Sequence, residues 1–527
     1  MLQHRNTTLM HAARDRADHR PDEVAIHFDD GGSLTYSEAW DAGMTAAGAL
    51  YERGLRAGDT ASFQLPNGRE SVVVMLAAAI LGLIINPIVP IYRDRETGFI
   101  LRHAGSKVVF VPNSLRDYDY PAMIARLRSD LPALTTVVVT GVGGDPGEGV
   151  FSFDSLLDSG AELPVPPHEA DPDDVKILLY TSGTTGNPKQ VRHSHNTLTA
   201  ALDLGVEGWG LDGSDLMLMP SPVTHITGYV NGMEMPFLTE TKSLLMSQWQ
   251  VDRAIDLIET QGATACVSAT PFLQELIVAC QAQGKTLPGF RLFACGGASV
   301  PPDLIHNAWN TLSQCRAVRV YGSTEVPLVT VGFVGATERA LAAETDGRIC
   351  HYDVKVVDES GRDLGIDQDG EILARGPAMM LGYGDQEQNR DAFDAEGFFK
   401  TGDIGKKLAN GGILITDRKK DIIIRGGENI SARDIEEVLL RVQGIVEVAV
   451  VAIPHQRLGE TVAACLVTTD GRPLPEQKLQ AALQESGLAK QKWPQYVELM
   501  EALPKTASGK VQKEQLRREL RARGAAV

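Results

Sequence analysis

Short runs that alternate apolar and polar positions recur through the first 160 residues, and stretches with apolar residues at helical spacing lie between them. Glu23–Phe28 alternates, Asp29–Gly32 carries turn residues and Leu34–Tyr36 resumes, which predicts a hairpin. Ala61–Leu65, Ile84–Val89, Lys107–Val111 and Thr136–Thr140 predict strands, with helices after Glu70 and after Glu96 between them. Such alternation predicts α/β layers with parallel strands. The most apolar stretch, VVVMLAAAILGLII from Val72 to Ile85, is shorter than the ~18–20 residues a bilayer crossing needs, and Asn86-Pro87 ends it. It predicts a buried helix running into a buried strand. Gly141–Gly149 and Leu163–Asp174 punctuate the region as loops.

The last hundred residues have a different rhythm. Ser431-Ala-Arg-Asp434 forms a capping box before Ile435, Val438, Leu439 and Val442 at helical spacing. Val446–Ile453 and Thr461–Thr468 then predict strands, and Pro475–Ser486 a helix. This is a small α+β unit. Asp417-Arg-Lys-Lys-Asp421, a charge cluster with no helix or strand signal, separates it from the body. The expected fold class is α/β, with a large multi-layered unit of sheets flanked by helices over residues 1–419 and a small α+β unit over 420–527.

Charge narrows the partners. Fifty Lys+Arg against 68 Asp+Glu give a net charge of −18 in a 527-residue chain, and the sequence pI is near 5.2. Neither a broad nucleic-acid grip nor a polybasic membrane anchor fits that balance, although a local cluster of donors can still hold a small anion. A composition 43% hydrophobic and 22% charged is globular. The cysteines (Cys266, Cys280, Cys295, Cys315, Cys350, Cys465) have no metal-type spacing and read as reduced thiols, mostly in the core. MLQHRNTTLM lacks a signal-peptide run and RGAAV is no lipidation or peroxisomal signal, so the expected setting is cytoplasmic, with no integral membrane association. Positive charge returns between Lys505 and Arg523.

The chemistry concentrates after the apolar run Val175–Tyr180. Thr181-Ser182-Gly183-Thr184-Thr185-Gly186-Asn187-Pro188-Lys189 places hydroxyls, glycines and one lysine directly after a strand. Glycines let backbone N–H groups close around phosphate oxygens, hydroxyls add donors and Lys189 adds charge, so the run predicts a polyphosphate cradle. It is not the common P-loop, since Gly183 and Gly186 are too close and no Ser or Thr follows Lys189. His193-x-His195 has no third ligand nearby in the sequence to make a metal site.

Tyr-Thr-Ser-Gly-Thr-Thr-Gly-x-Pro-Lys resembles the signature loop of the adenylate-forming superfamily, which includes acyl- and aryl-CoA synthetases, peptide-synthetase adenylation domains and beetle luciferases. Further motifs follow in that family's order along nearly the whole chain. Pro222-Val-Thr-His225-Ile-Thr-Gly228 resembles the segment that gates the acyl pocket, and Cys295-Gly296-Gly297-Ala298 the segment beside adenine. Tyr321-Gly322-Ser-Thr324-Glu325 implies Tyr321 stacked on adenine, Thr324 on the α-phosphate and Glu325 as a Mg²⁺ ligand. Gly370–Pro377 matches a structural motif, and Thr401-Gly-Asp403 supplies an acceptor for the ribose hydroxyls. Arg418 matches a ribose- and phosphate-contacting arginine, Lys420 the hinge about which a mobile small domain swings, and Gly426-Gly427 the pantetheine channel. Pro504-Lys-Thr-Ala-Ser-Gly-Lys510 carries the catalytic lysine, Lys510. One position departs: the residue after Lys189 is usually Gly and is Gln190 here, which bears on the tight backbone path at the end of the loop.

The resemblance implies an enzyme that joins a carboxylic acid to the α-phosphate of ATP, with Mg²⁺, and then passes the acyl group to coenzyme A after rotation about Lys420. Pro222–Gly228 has no acidic residue to pair with an amino-acid ammonium, so a hydrophobic acid is expected. Gly228, Met233, Cys295 and Gly296 join His225 as the expected acyl pocket. The overall flavour is closest to ligases for cyclohexanecarboxylate and related alicyclic acids, with terpenoid and fatty acids also open. Alternatives are an acyl-AMP ligase loading a separate carrier protein, a luciferase-like monooxygenase and an inactive nucleotide-binding regulator. Retention of Lys189, Glu325, Asp403, Arg418 and Lys510 speaks against the last. The expected assembly is a monomer or homodimer.

Overall fold

A computed structural model describes residues 6–143, 147, 149–160, 163, 165, 168–181, 188–505 and 511–524. The predicted hairpin forms, with Val24–Phe28 antiparallel to Ser33–Thr35. Thr35 then caps the helix Tyr36–Glu52 through a reciprocal capping box with Glu38. The apolar stretch becomes the helix Arg69–Leu81, buried on nearly every side and stopped by Gly82 in the left-handed conformation. It packs against Tyr36–Glu52, where a Cβ at Gly43 would lie 2.8 Å from that of Leu76, so the two helices approach at a distance only glycine permits.

Two large sheets form the body. In the eight-stranded sheet, Val175–Thr181, Ile84–Pro87, Thr60–Phe63, Ser106–Pro112, Thr136–Thr140 and Val150–Ser152 run parallel, in that order. Lys189–Ser194 and then Gly382–Tyr383 close one edge as antiparallel strands. In the seven-stranded sheet, Arg316–Arg319, Leu292–Cys295, Ala265–Ser268, Leu216–Met219, Lys242–Leu245 and Val24–Phe28 are parallel, and Ser33–Thr35 closes the far edge. Five of the cysteines are buried, Cys350 is half-buried, and all are free thiols.

A four-stranded antiparallel sheet follows, in the order Asp353–Val357, Gly370–Arg375, Phe399–Lys407, Ile413–Arg418. Here the structure corrects one expectation. Asp417 and Arg418 do not lie in a featureless charged loop, because they end a strand whose register sets Arg418 opposite Asp403. The pairing is made by the partner strand, while the charges hide any periodicity in this short segment.

The small unit pairs Glu428–Ile430, Ile423–Arg425, Gly459–Thr468 and Ile445–His455, with Tyr496–Leu499 parallel to Gly459–Thr468. Ser431 caps the helix Ala432–Leu440, its hydroxyl accepting from Asp434 N. The large amino-terminal and small carboxyl-terminal units have separate apolar cores. Among the described residues no helix is long and apolar enough to cross a membrane.

Candidate active site

The strand Val175–Thr181 ends at Thr181, and Lys189 opens the antiparallel strand that returns beside it, Thr181 facing Lys189 in register. Ser182, Gly183, Thr184, Thr185 and Gly186 lie outside the described residues, as does Lys510. Thr181 and Lys189, on either side of that run, lie side by side. Gln190, the departure from the family pattern, fits the regular pairing opposite Tyr180. Its Nε2 donates to the Tyr180 hydroxyl at 2.7 Å, and its Oε1 accepts from Arg192 Nε at 3.2 Å, so it ties the strand entering the loop to the strand leaving it.

Glu325 stands beside this mouth. Its Oε1 accepts from the Tyr383 hydroxyl at 3.0 Å and lies 3.4 Å from the Thr181 hydroxyl, while its carbonyl accepts from Met380 N at 2.8 Å. Tyr383 is buried on the edge strand, and Lys189 Nζ lies 4.6 Å from the centre of its ring. Burial first, and the neighbouring carboxylate second, push the Tyr383 phenol far above its usual range, so it stays a donor. Thr324 is fixed through its backbone, its carbonyl 2.7 Å from His193 Nε2. His193 Nδ1 is 3.0 Å from the Thr197 hydroxyl, and burial pushes the imidazole down to about 4, leaving it neutral. His195 Nδ1 accepts from Leu9 N at 3.1 Å. Both histidines thus face protein partners, and among the described residues no His, Cys, Asp or Glu group has the grouping of a metal cage.

The Tyr321–Glu325 segment turns tightly. A Cβ at Gly322 would stand 2.4 Å from Leu328 N, so this turn requires glycine. The Tyr321 hydroxyl donates to Asp403 Oδ2 at 2.7 Å, and Arg418 Nε donates to Asp403 Oδ1 at 2.7 Å. Asp403 is 3% exposed, and its charge holds the Arg418 guanidinium above its usual value. A carboxylate accepting one bond on each oxygen still has acceptor capacity on both.

Gly296 must be small as well, since its Cβ would meet Val320 O at 2.6 Å. Gly297 is left-handed, with φ +80°, and stands exposed with Ala298. His225 precedes the turn Ile226–Gly228, and Gly228 packs so closely that a Cβ would lie 2.2 Å from Pro222 O. Met233 and Cys295 are wholly buried, and burial pushes the Cys295 thiol up to about 12, which makes it inert. Gly426 and Gly427, with φ +61° and +88°, form the two-residue turn between Ile423–Arg425 and Glu428–Ile430, a tight hairpin where the sequence indicated a loop. Lys420 stands exposed in the turn after Arg418.

Sequence reasoning missed Tyr383 and the role of His193. Tyr383 sits between two glycines in a two-residue strand too short to show a period, and the usable signal is general: a buried tyrosine needs a partner for its hydroxyl.

Two paired strand ends at Thr181 and Lys189, an acidic residue beside them and a Tyr–Asp–Arg chain centred on a buried carboxylate, on a two-unit α/β body, are the features of a nucleotide-dependent enzyme. The chain belongs to the AMP-binding enzyme family, matching it over residues 13–384 and the AMP-binding enzyme C-terminal domain over residues 434–510. It is 33% identical over 512 residues to the medium-chain fatty-acid–CoA ligase of Escherichia coli (strain K12), covering 95% of this chain and 88% of the relative. It is 30% identical over 526 residues to the salicyl-AMP ligase / salicyl-S-ArCP synthetase of Mycobacterium tuberculosis (strain ATCC 25618 / H37Rv), covering 97% and 91%. ATP-bound MatB from Rhodopseudomonas palustris matches with a TM-score of 0.85 at 26% identity, covering 98% and 99%, whereas the apo form of MatB, with the same coverage, gives 0.73.

Proposed function

We propose that the protein is an ATP- and Mg²⁺-dependent acid–thiol ligase that adenylates a hydrophobic carboxylic acid, alicyclic, terpenoid or fatty, and transfers the acyl group to coenzyme A. The observation that carries the reading is the convergence of Thr181, Lys189, Glu325 and Tyr383 at one mouth of the cradle. Similarity over 95% of the chain to a fatty-acid–CoA ligase supports the acid and the thiol. Similarity to a salicyl-AMP ligase / salicyl-S-ArCP synthetase supports a second reading, in which a carrier protein replaces CoA.

In the first step a carboxylate oxygen of the acid bonds to the α-phosphorus of ATP, the bond to the β-phosphate oxygen breaks, and pyrophosphate leaves. Both reactants are anionic, so the site must offset repulsion and stabilise charge on the transferring phosphoryl group. Lys189, the cradle Thr181–Lys189, Thr324 and Lys510 supply donors and positive charge. Tyr321 and Asp403 hold adenine and ribose, with Arg418 bonded to Asp403. Glu325, with the Thr181 hydroxyl beside it, offers the hard oxygen ligands that suit Mg²⁺, which when bound neutralises phosphate charge. In the second step the CoA sulfur bonds to the acyl carbon and AMP leaves. Rotation about Lys420 withdraws Lys510 and brings in the Gly426-Gly427 turn, so one site serves both reactions in sequence. His225 and Gly228, with Met233, Cys295 and Gly296, border the acid.

The test mixes purified protein with Mg-ATP and a panel of alicyclic, aromatic, terpenoid and straight-chain acids, followed by mass spectrometry. Acyl adenylate without CoA, acyl-CoA with it and loss of both on chelation are the expected results. An adenylate that persists with CoA present points to the carrier protein. ATP binding with no pyrophosphate release from any acid overturns the reading.

A further inference from the structure

The segment after His225 is wound unevenly. Ile226–Gly228 is a single α-turn, Tyr229–Glu234 is a π-helix and Met235–Leu238 returns to α. A π-turn carries an extra residue against the usual winding and marks functional sites more often than chance. This one is seated from two directions. On one side it rests on the seven-stranded sheet, where the Ser243 hydroxyl donates to Gly232 O at 2.6 Å and a Cβ at Gly232 would come within 2.9 Å of Met219 and Leu245 side chains. On the other side its last residue, Glu234, forms an ion pair with Lys176 on the strand Val175–Thr181 of the eight-stranded sheet.

The pair is deeply buried, its side chains 0% and 5% exposed. Burial pushes the Glu234 carboxyl up and the Lys176 ammonium down, and each charge partly restores the other. Tyr229, at the start of the same π-turn, is raised by burial first and by the Glu234 carboxylate next. Across the pair, burial chiefly, and Lys176 secondarily, hold His195 down at about 2. Apolar residues of similar volume commonly replace such a pair with no loss of stability, so stability does not account for it. Placement does. One end sits on the turn that carries Met233, and the other sits on the strand that delivers Thr181 to the phosphate cradle.

Resting on the acid-ligase reading above, we infer that Lys176 and Glu234 are positioning residues that hold the acid pocket in register with the phosphate cradle, and so set which acids present their carboxylate to the α-phosphate. A pocket wall displaced by a fraction of an ångström misplaces the attacking oxygen, to which the rate is steeply sensitive. Adenine and ribose are held elsewhere, by Tyr321 and Asp403, and Thr181 is fixed at the cradle by its own pairing with Lys189, so the affinity for ATP depends little on the pair.

The experiment uses the full-length protein with the double replacement Lys176→Met/Glu234→Leu, and separately Lys176→Met/Glu234→Gln, which removes both charges and keeps a polar group at position 234. Melting temperature, KM for Mg-ATP and kcat/KM for straight-chain acids of increasing length are read by pyrophosphate release. The expected double variant melts within a few degrees of the parent and keeps its KM for ATP within about twofold. Its kcat/KM for the preferred acid falls at least about tenfold and its optimum moves along the series. Lys176→Met/Glu234→Gln shifts the profile the same way if the first double variant fails to fold. A folded variant of either kind with an unaltered acid profile overturns the positioning role while leaving the ligase reading intact. A parent protein that activates no acid removes the ligase reading, and the inference with it.

Discussion

Replacing His193 with glutamine makes the stability–pH curves of the two proteins cross. His193 is wholly buried, with Nε2 2.7 Å from Thr324 O and Nδ1 3.0 Å from the Thr197 hydroxyl. A carbonyl only accepts, so Nε2 carries the proton and the neutral ring receives the threonine on Nδ1. Desolvation opposes a second proton and holds the group at about 4, against 6.5 for the free side chain, and the Thr324 carbonyl offsets part of that fall. Between those values the unfolded chain binds the extra proton and the native protein does not. The contribution is therefore complete above pH ~6.5 and is lost as the pH falls towards ~4. At ~1.4 kcal/mol per pH unit, lowering the pH from ~7 to ~5 removes ~2 kcal/mol from the native protein. Glutamine can still donate to Thr324 O but fills the site imperfectly, a cost of ~1 kcal/mol at neutral pH, and it does not titrate. The variant is thus the less stable protein at pH ~7 and the more stable by ~1 kcal/mol at pH ~5, with the crossing near pH ~6. Urea unfolding followed by tryptophan fluorescence, in half-unit steps on both proteins, reads the difference. Groups common to both, including His195, cancel to the extent that they act independently of position 193. Parallel curves, with the variant below throughout, would refute the neutral buried imidazole.

Tyr383→Phe deletes the 3.0 Å bond onto Glu325 and is expected to slow acid-dependent pyrophosphate release about tenfold with little change in melting temperature; an unchanged rate detaches Tyr383 from the site. Asp403→Asn leaves Arg418 without its charged partner and weakens the ribose acceptor, so KM for ATP rises about tenfold or more while KM for the acid holds, and a rise confined to the acid contradicts the assignment. Lys510→Ala loses adenylation but still converts supplied acyl adenylate and CoA to thioester, whereas equal loss of both half-reactions counts against two alternating states.

The legible parts of the fold were those written in local periodicity. The hairpin at Val24–Thr35, the helix Arg69–Leu81 and the strand Thr136–Thr140 each follow from a dozen or so neighbouring residues, because one buried face imposes its period on the sequence. The order of the motifs indicated the site in outline. Its internal wiring was hidden, since His193–Thr324, Tyr383–Glu325 and Tyr321–Asp403 join residues 131, 58 and 82 positions apart, and no local pattern encodes such a pair. The strand ending at Arg418 was masked by its own charges, and the π-turn at Tyr229–Glu234 lies among apolar residues that would read the same in an α-helix.

The boundary we propose at 419/420 follows from where the hydrogen bonds change allegiance. Lys419 still belongs to the body, its N donating to Gly402 O at 2.9 Å and its Nζ pairing with Glu371 at 2.8 Å. From the next residue ties to the small unit begin, with Arg517 Nη2 3.3 Å from Lys420 O and 2.6 Å from Asp421 Oδ1, while Asp421 N and Ile422 N still donate back to Arg418 O at 2.8 and 3.1 Å. The rotation proposed at Lys420 would also release bonds that cross this line, including the Ser431 hydroxyl to Thr416 O, Ala432 N to Asp417 Oδ2, Arg433 Nη1 to Ile415 O and the exposed Arg441–Asp303 pair. The neutral crossing hydrogen bond contributes about 1 kcal/mol net, the two that involve the Asp417 carboxylate and the Arg433 guanidinium about 1.5–3 kcal/mol each, and the exposed pair less. Their sum is on the order of 5 kcal/mol, which the differential binding of a nucleotide or a thiol substrate would have to supply. Arg418 sits one residue before that change and is bonded to Asp403, so the residue proposed to contact the ribose adjoins the proposed hinge.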